Sequence, residues 1–207
     1  MTNTDFWSDR YKKEGEIWLN DPSLTALFVE QVIGEDKDQS ILEVGFGYGR
    51  DIAYLASKRF QVSGIEQSEV GYQMAKRQIQ ELSVQNTSTI DLIQGDFLTT
   101  HFNQKYDVIY SHRVAHLFNE GSEVQRFAQK LAALVKPKGR ILISARDARG
   151  TKPKRKGHQV NFWNEARFET VFGDNFLIEQ FVKGEEIESK SNPTPTYFTL
   201  MIAERKP

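Results

Sequence analysis

Residues 41–49, ILEVGFGYG, constrain this chain more than any other stretch. The first four are mostly apolar and β-prone, as in a strand covered on both faces of a sheet, and glycines at 45, 47 and 49 then break the run. A loop without Cβ atoms lets backbone N–H groups approach a bound molecule, and the helical pattern beginning at Arg50 adds the positive end of a helix dipole. Strand, glycine turn and helix in that order predict a ligand seated on the turn.

The pattern continues on both sides. Asp21-Pro22 reads as an N-cap and first helical residue, opening a helix with Leu24, Leu27, Phe28 and Val32 on its core face and ending near Gly34. After the glycine turn come a helix from Arg50 to Lys58 with Ile52, Leu55 and Ala56 inward, and a strand from Phe60 to Ile65. Ser68 caps a helix running to about Leu82. Strands follow at Ile90–Ile93 and Tyr106–Tyr110, then a helix at Glu123–Val135 carrying Val124, Phe127, Leu131 and Leu134 inward, a turn at Lys136–Gly139 and a strand at Arg140–Ala145. Two long strand-like runs, Phe176–Ile187 and Thr196–Glu204, flank a Ser/Asn/Pro-rich turn and predict an antiparallel hairpin.

Alternating strands and helices predict an α/β fold: a doubly wound, mostly parallel seven-stranded sheet ending in that hairpin. Ligands bind such sheets outside the carboxyl ends of the strands. The chemistry-bearing residues fall there: the glycine turn, then Glu66, Asp96, and His112 with Arg113, each closing a successive strand. Glu66 lies 21 residues beyond Gly45, where a carboxylate can accept hydrogen bonds from ribose hydroxyls. A dinucleotide fingerprint needs glycine at position 50, and Arg50 stands there, which weighs against NAD.

Composition narrows the chemistry. The 207 residues suit one domain at 21–207 with a short appendage at 1–20. There is no cysteine, which excludes disulfides, thiolate metal sites and cysteine nucleophiles. A formal net charge of -1 argues against a generally nucleic-acid-coated surface, and the absence of a signal-like start or a long apolar run predicts a cytoplasmic protein away from membranes. The appendage is aromatic. Phe6, Trp7, Tyr11 and Trp18 are interleaved with charges, and on a helix Trp7 and Tyr11 share a face, either covering a pocket or docking the arm onto the domain.

These segments together resemble the nucleotide-binding half of class I S-adenosylmethionine (SAM)-dependent methyltransferases. That family's first motif, an acid, one residue, then Gly-x-Gly-x-Gly, is supplied by Glu43, Gly45, Gly47 and Gly49. The resemblance extends to QGDF at 94–97, YDVIYS at 106–111, VKPKGRILIS at 135–144 and the hairpin. FWSDRYKKEGEIWLNDPS near the N-terminus and GRDIAYLA are similar to the small-molecule enzymes of the thiopurine, halide and tellurite-resistance type.

The resemblance implies a Rossmann-like methyltransferase fold, SAM as cofactor and S-adenosylhomocysteine (SAH) as product. It implies that Gly45 and Gly47 face the methionine part, Glu43 orients the loop and the amino group, and Glu66, with Gln67 beside it, holds the adenosine ribose. Asp96 and Phe97 flank the adenine, Ser111 belongs to the cofactor shell, and Arg113 meets the methionine carboxylate. Trp7, Tyr11 and Trp18 fold over cofactor and substrate as a lid. Phe46 departs from the small residue many relatives carry, which narrows the pocket or shifts the loop.

The implied reaction transfers a methyl group in line to a small-molecule nucleophile: S, O, N, or a halide or chalcogen anion. His112 and His116, four apart, are the candidate bases, with Tyr11 as a third catalytic candidate; on a helical turn the two histidines share a face. The alternative for His116 is a packed or capping histidine, and for His112 a cofactor-shell residue. Two histidines without a third ligand do not predict a metal. The run Arg146–His158, RDARGTKPKRKGH, has six basic residues and borders the same rim. It either attracts an anionic acceptor or is a solvated loop, and it is the sole support for an RNA or protein substrate. A non-catalytic SAM-binding protein is the third reading. Phe162 and Trp163 are further candidate pocket residues.

Overall fold

In the computed structural model, which describes residues 3–18, 21–83, 90–118, 121–149 and 161–207, the run Ser40–Val44 forms β1 near the middle of a seven-stranded sheet. Elements α1 (Asn3–Glu14) and α2 (Leu24–Ile33) precede it. After it come α3 (Arg50–Ser57), β2 (Gln61–Glu66), α4 (Glu69–Ser83), β3 (Ile90–Gln94), β4 (Tyr106–Ser111), α5 (Ser122–Leu134) and β5 (Val135–Arg146). Then α6 (Glu165–Phe172) leads to β6 (Phe176–Ser189) and β7 (Asn192–Arg205). The strand order is β3-β2-β1-β4-β5-β7-β6; all pairings are parallel except β5 with β7 and β7 with β6. The chain reverses its winding direction between β1 and β4, so the topological switch point lies at the end of β1, where the glycine turn begins.

Both sheet faces are covered, which is why the strands read as near-continuous apolar runs. In β1, Leu42 and Val44 join the core under α5 and α6, around Phe127, Phe168 and Phe172, while Ile41 joins the core under α2, α3 and α4, around Ile52, Leu55 and Phe60. Among the described residues no helix is long and apolar enough to cross a membrane.

Three local expectations are corrected. The helix expected to open at Asp21-Pro22, α2, is capped by Ser23 rather than Asp21. Ser23 Oγ accepts from Ala26 N at 3.1 Å and donates to Asp51 Oδ2 at 2.5 Å, and Ser23 N donates to Asp51 Oδ1 at 2.8 Å. The buried acid on α3 selects the cap. The core face of α2 consequently carries Thr25, Ala26, Val29 and Ile33, with Leu27 exposed and Leu24, Phe28 and Val32 only partly buried. Small side chains there let the helix approach the sheet. Lys136–Gly139 is a looped excursion inside β5 rather than a separate turn: Tyr106 pairs with Val135, and two residues later Val108 pairs with Arg140. The hairpin strands also run further than expected, through Pro193 and Pro195. That half of β7 lies beyond its pairing with β5, so no second ladder needs the missing N–H groups.

Candidate active site

The glycine turn begins where β1 runs out. Gly45 N donates to Ile65 O at 2.8 Å, holding the turn to β2, and Gly49 caps α3 without a side chain. Gly47 has φ 60, and a Cβ there would lie 2.6 Å from Tyr11 Oη, so both its conformation and its neighbour require glycine. Phe46 lines the cavity and also packs onto β2: a Cβ added at Gly64 of β2 would meet Phe46 Cδ1 at 2.6 Å and Ile52 Cδ1 at 2.8 Å. The bulky ring is thus accommodated by a missing side chain on the neighbouring strand. Gly64→Ala is expected to destabilise the protein by about 1–3 kcal/mol through overpacking, read from the urea midpoint. An unchanged midpoint would refute this packing account.

Acids gather on the β2 side. Glu66 is buried; its Oε2 accepts from Gly47 N at 2.8 Å and its Oε1 from Ser68 N at 2.7 Å, tying the turn to the start of α4. Burial pushes its carboxyl above the usual range, against the opposing pull of the backbone N–H groups of Ser68, Gly47 and Gln67. Glu43, also buried, is pushed well up by burial and by nearby Asp51, while Tyr110 Oη donates to it at 2.6 Å. Asp96 shapes the turn after β3, accepting from Leu98 N at 2.7 Å, and also faces the cavity, as do Gln67 and Phe97.

The aromatic appendage contributes side chains to the lining of this cavity. Trp7 and Tyr11 sit one turn apart on α1 with ring centroids at 6.0 Å, and Trp18 stacks on Tyr48 of the glycine turn at 6.1 Å and 18°. All four line the cavity with the glycines. Arg10 lies over Trp7 at 5.5 Å and over Trp18 at 5.8 Å. Ser8 Oγ is 2.9 Å from Ser68 Oγ, which docks α1 at the N-terminal end of α4. Burial, reinforced by Glu66, pushes the Tyr11 hydroxyl well above its usual value, so it stays protonated.

At the end of β4 the histidines do not share a helical face. His112 follows the strand directly, Arg113 turns the chain with φ 58, and His116 lies in a short 3-10 helix, Ala115–Leu117. Both histidines line the cavity all the same. His112 has Nε2 at 3.0 Å from Glu186 Oε2 and Nδ1 at 2.8 Å from Thr25 Oγ1 and 3.2 Å from Ser144 Oγ. With both ring nitrogens held, this geometry suits the cofactor-shell reading of His112 better than a base. His116 is buried, and its Nδ1 accepts from Arg146 N at 3.4 Å. Burial acts to raise the Glu186 carboxyl, but His112, Arg113 and Arg50 hold it well below the usual range.

Three predicted site residues lie elsewhere. Ser111 Oγ donates to Val44 O at 3.0 Å, clamping β4 to β1 within the sheet. Trp163 is in the core against Phe168 at 4.9 Å, and Phe162 is not among the cavity-lining side chains. Of the basic run, residues 150–158 lie outside the described residues. Arg146 is buried and lines the cavity, and Arg149 pairs with Asp147. Arg10, Tyr48, Asp51 and Phe118 line the site without having been anticipated. Tyr48 was within reach, standing inside the glycine motif; the others depend on how distant elements pack.

The geometry is a strand-end cavity with carboxylates on the β2 and β3 side, a glycine turn in the middle and cations on the β4 side. Residues 41–139 match a family described as a methyltransferase domain. Residues 41–139 therefore carry a methyltransferase domain, set in a Rossmann-like methyltransferase fold. No curated protein sequence matches it. Among solved structures, the methyltransferase is similar in fold to one described under "Conversion of a Disulfide Bond into a Thioacetal Group during Echinomycin Biosynthesis", at TM-score 0.79 and 17% identity over 98% of this chain and 91% of that one. It is similar to N-methyltransferase NodS from Bradyrhizobium japonicum in complex with SAH, at TM-score 0.73 and 16% identity, covering 98% of each chain. It is also similar to TehB from Haemophilus influenzae, at TM-score 0.71 and 17% identity over 98% of this chain and 67% of that one.

The donor set fits the cofactor. Carboxylates at the ends of β2 and β3 suit the hydroxyls and amine of an adenosine, and Arg113 across the turn suits a carboxylate. Trp18 Nε1 on the cavity wall is buried and has no hydrogen-bond partner among the described residues. An unpaired buried donor of this kind is suited to a ligand acceptor.

Proposed function

We propose that this methyltransferase acts on a small-molecule nucleophile, transferring the methyl group in line beneath a lid formed by residues 1–20. The observation that carries this reading is the aromatic wall: Trp7, Tyr11 and Trp18 line the same cavity as Glu43, Gly45 and Gly47, leaving a covered site of small-molecule dimensions. Two contacts from the β6–β7 turn support the lid position. Lys190 N donates to Ile17 O at 2.7 Å, and Ser191 Oγ donates to Glu14 Oε2 at 3.0 Å. The similar structures include a magnesium protoporphyrin IX methyltransferase and a 1,6-didemethyltoxoflavin-N1-methyltransferase, which lends support to a small acceptor.

When bound, SAM supplies an electrophilic methyl group on a sulfonium. Glu66 with Gln67 holds the ribose, Asp96 and Phe97 flank the adenine, and Gly45, Gly47 and Glu43 seat the methionine part against Arg113. The lid excludes water, which favours attack by an anionic nucleophile whose charge is neutralised in the transition state. For an acceptor that carries a proton, His116 is the better-placed base, because His112 is held at both nitrogens. Tyr11, kept protonated, acts as wall and hydrogen-bond donor.

Release of SAH, measured against thiols, halides, phenols, amines and transfer RNA, tests the reading. Turnover is expected with one small-molecule class and not with transfer RNA. Turnover with transfer RNA alone would replace this proposal with the nucleic-acid reading, and SAM binding without turnover on any acceptor would favour a non-catalytic binder.

A further inference from the structure

A single carboxylate joins the C-terminal hairpin to the β4 wall of the cavity. Glu186 of β6 places Oε2 3.0 Å from His112 Nε2 and 3.7 Å from Arg113 Nη1, while its Oε1 accepts from Leu24 N at 3.4 Å. Ser144 of β5 accepts from Arg113 N at 2.9 Å. Arg113 therefore takes restraints from β5 and β6, and His112 from α2, β5 and β6. The restraint has a use, because Arg113 has φ 58, a left-handed conformation that is sterically unfavourable for a non-glycine residue and persists only where its surroundings enforce it. His112 and Arg113 line the cavity; Glu186 stands behind them.

The direction in which this wall faces follows from topology. Residue 114 lies directly against the first glycine of the turn, since a Cβ at Gly45 would sit 2.5 Å from Val114 Cγ2. β4 flanks β1 on the side opposite β2 and β3, whose ends carry Glu66 and Asp96. The adenosine-binding acids and the His112–Arg113 segment thus occupy opposite ends of the cavity.

We propose that Glu186 is a positioning residue that sets Arg113 and His112 to receive the amino-acid end of the cofactor, an inference that rests on the cofactor site described above. A guanidinium on a flexible stem binds a carboxylate weakly unless its orientation is paid for beforehand, and a buried carboxylate behind it supplies that orientation. The role belongs to the hairpin, which also closes the sheet edge and meets the N-terminal segment through its turn.

Isothermal titration with two ligands tests this. SAH carries the amino-acid end, whereas 5′-methylthioadenosine shares the nucleoside and lacks it. Glu186→Gln keeps the shape and removes the charge; it is expected to weaken SAH about tenfold, the scale of one charge-assisted contact, and to leave 5′-methylthioadenosine within about twofold. Arg113→Met is expected to show the same selectivity, and the double variant to be no weaker than Arg113→Met alone, because the two residues act as one unit. Equal losses for both ligands would mark Glu186 as merely structural. Unchanged or tighter SAH binding, or additive losses in the double variant, would also overturn the proposal. Should Glu186→Gln not fold, Glu186→Asp, which keeps the charge on a shorter stem, is read by the same ligand pair. Failure of the unaltered protein to bind SAH would instead overturn the cofactor assignment on which the inference rests.

Discussion

Glu66→Ala is expected to weaken SAM and SAH binding by about 100-fold or more and to lower folding stability by about 2–4 kcal/mol. The binding loss follows from removing a charged acceptor for two ribose hydroxyls; hydrogen bonds to charged groups contribute about 1.5–3 kcal/mol each, and every 1.4 kcal/mol is tenfold. The stability loss has a separate origin. Gly47 N and Ser68 N both donate to this carboxylate in a buried setting, at 2.8 Å and 2.7 Å, and alanine leaves both without an acceptor. Each orphaned donor costs about 1–3 kcal/mol. Glu66→Gln separates the two effects, since its single amide oxygen accepts from one of the N–H groups and its NH₂ opposes the other. It is expected to fall between alanine and the unaltered protein in the urea midpoint while losing most of the affinity. Titration and urea unfolding read both quantities, and retained SAH affinity in Glu66→Ala would remove the ribose assignment.

Deleting residues 1–20 is expected to abolish turnover, to below about 1% of the intact protein, while leaving the sheet folded. The deleted segment contributes Trp7, Tyr11 and Trp18 to the cavity wall, together with Ile17, which is almost fully buried. Its removal would expose Tyr48 and the glycine turn to water, and with water present the shielding that favours an anionic nucleophile is lost. Tyr11 and Ile17 each bury apolar surface whose loss costs about 1.5–3 kcal/mol, so a fall in thermal midpoint accompanies the loss of activity. A gentler variant, Trp7→Ala with Trp18→Ala, keeps α1 and opens the wall, and the same direction of effect is expected in SAH release. Full activity in the truncated protein would refute the lid.

Much of this architecture could be read from residue order because parallel α/β folding leaves strong local marks. Buried strands such as Ser40–Val44 must be apolar on both faces, glycines must stand where a turn meets a ligand, and a carboxylate near position 66 must close the next strand. Those requirements act within a few residues, so Gly45, Gly47, Glu66 and Asp96 could be named from residue order, Glu43, Gln67 and Phe97 followed from the family resemblance, and all seven line one cavity. The histidine pair was a weaker inference. Spacing of four suggests a shared helical face, but Arg113 at φ 58 breaks the path between them, and contacts from Glu186, Thr25 and Ser144 occupy the ring of His112. None of those partners lies within 30 residues of it.

The cap of α2 teaches the same lesson on a smaller scale. Asp21 and Ser23 are both good cap residues, and the decision came from Asp51, a buried acid 28 positions away that needs two donors. What the sequence by itself determined is the order of strands and helices, the turn at 45–49 and the chemical character of each strand end, because these follow from short-range periodicity and backbone sterics. Only the tertiary structure decided which side chains reach the cavity from afar, such as Arg10 and Trp18, and which carboxylate restrains Arg113 from behind. Trp18 meets Tyr48 across 30 positions and Glu186 meets Arg113 across 73, and no local rule of propensity or spacing carries information across such distances.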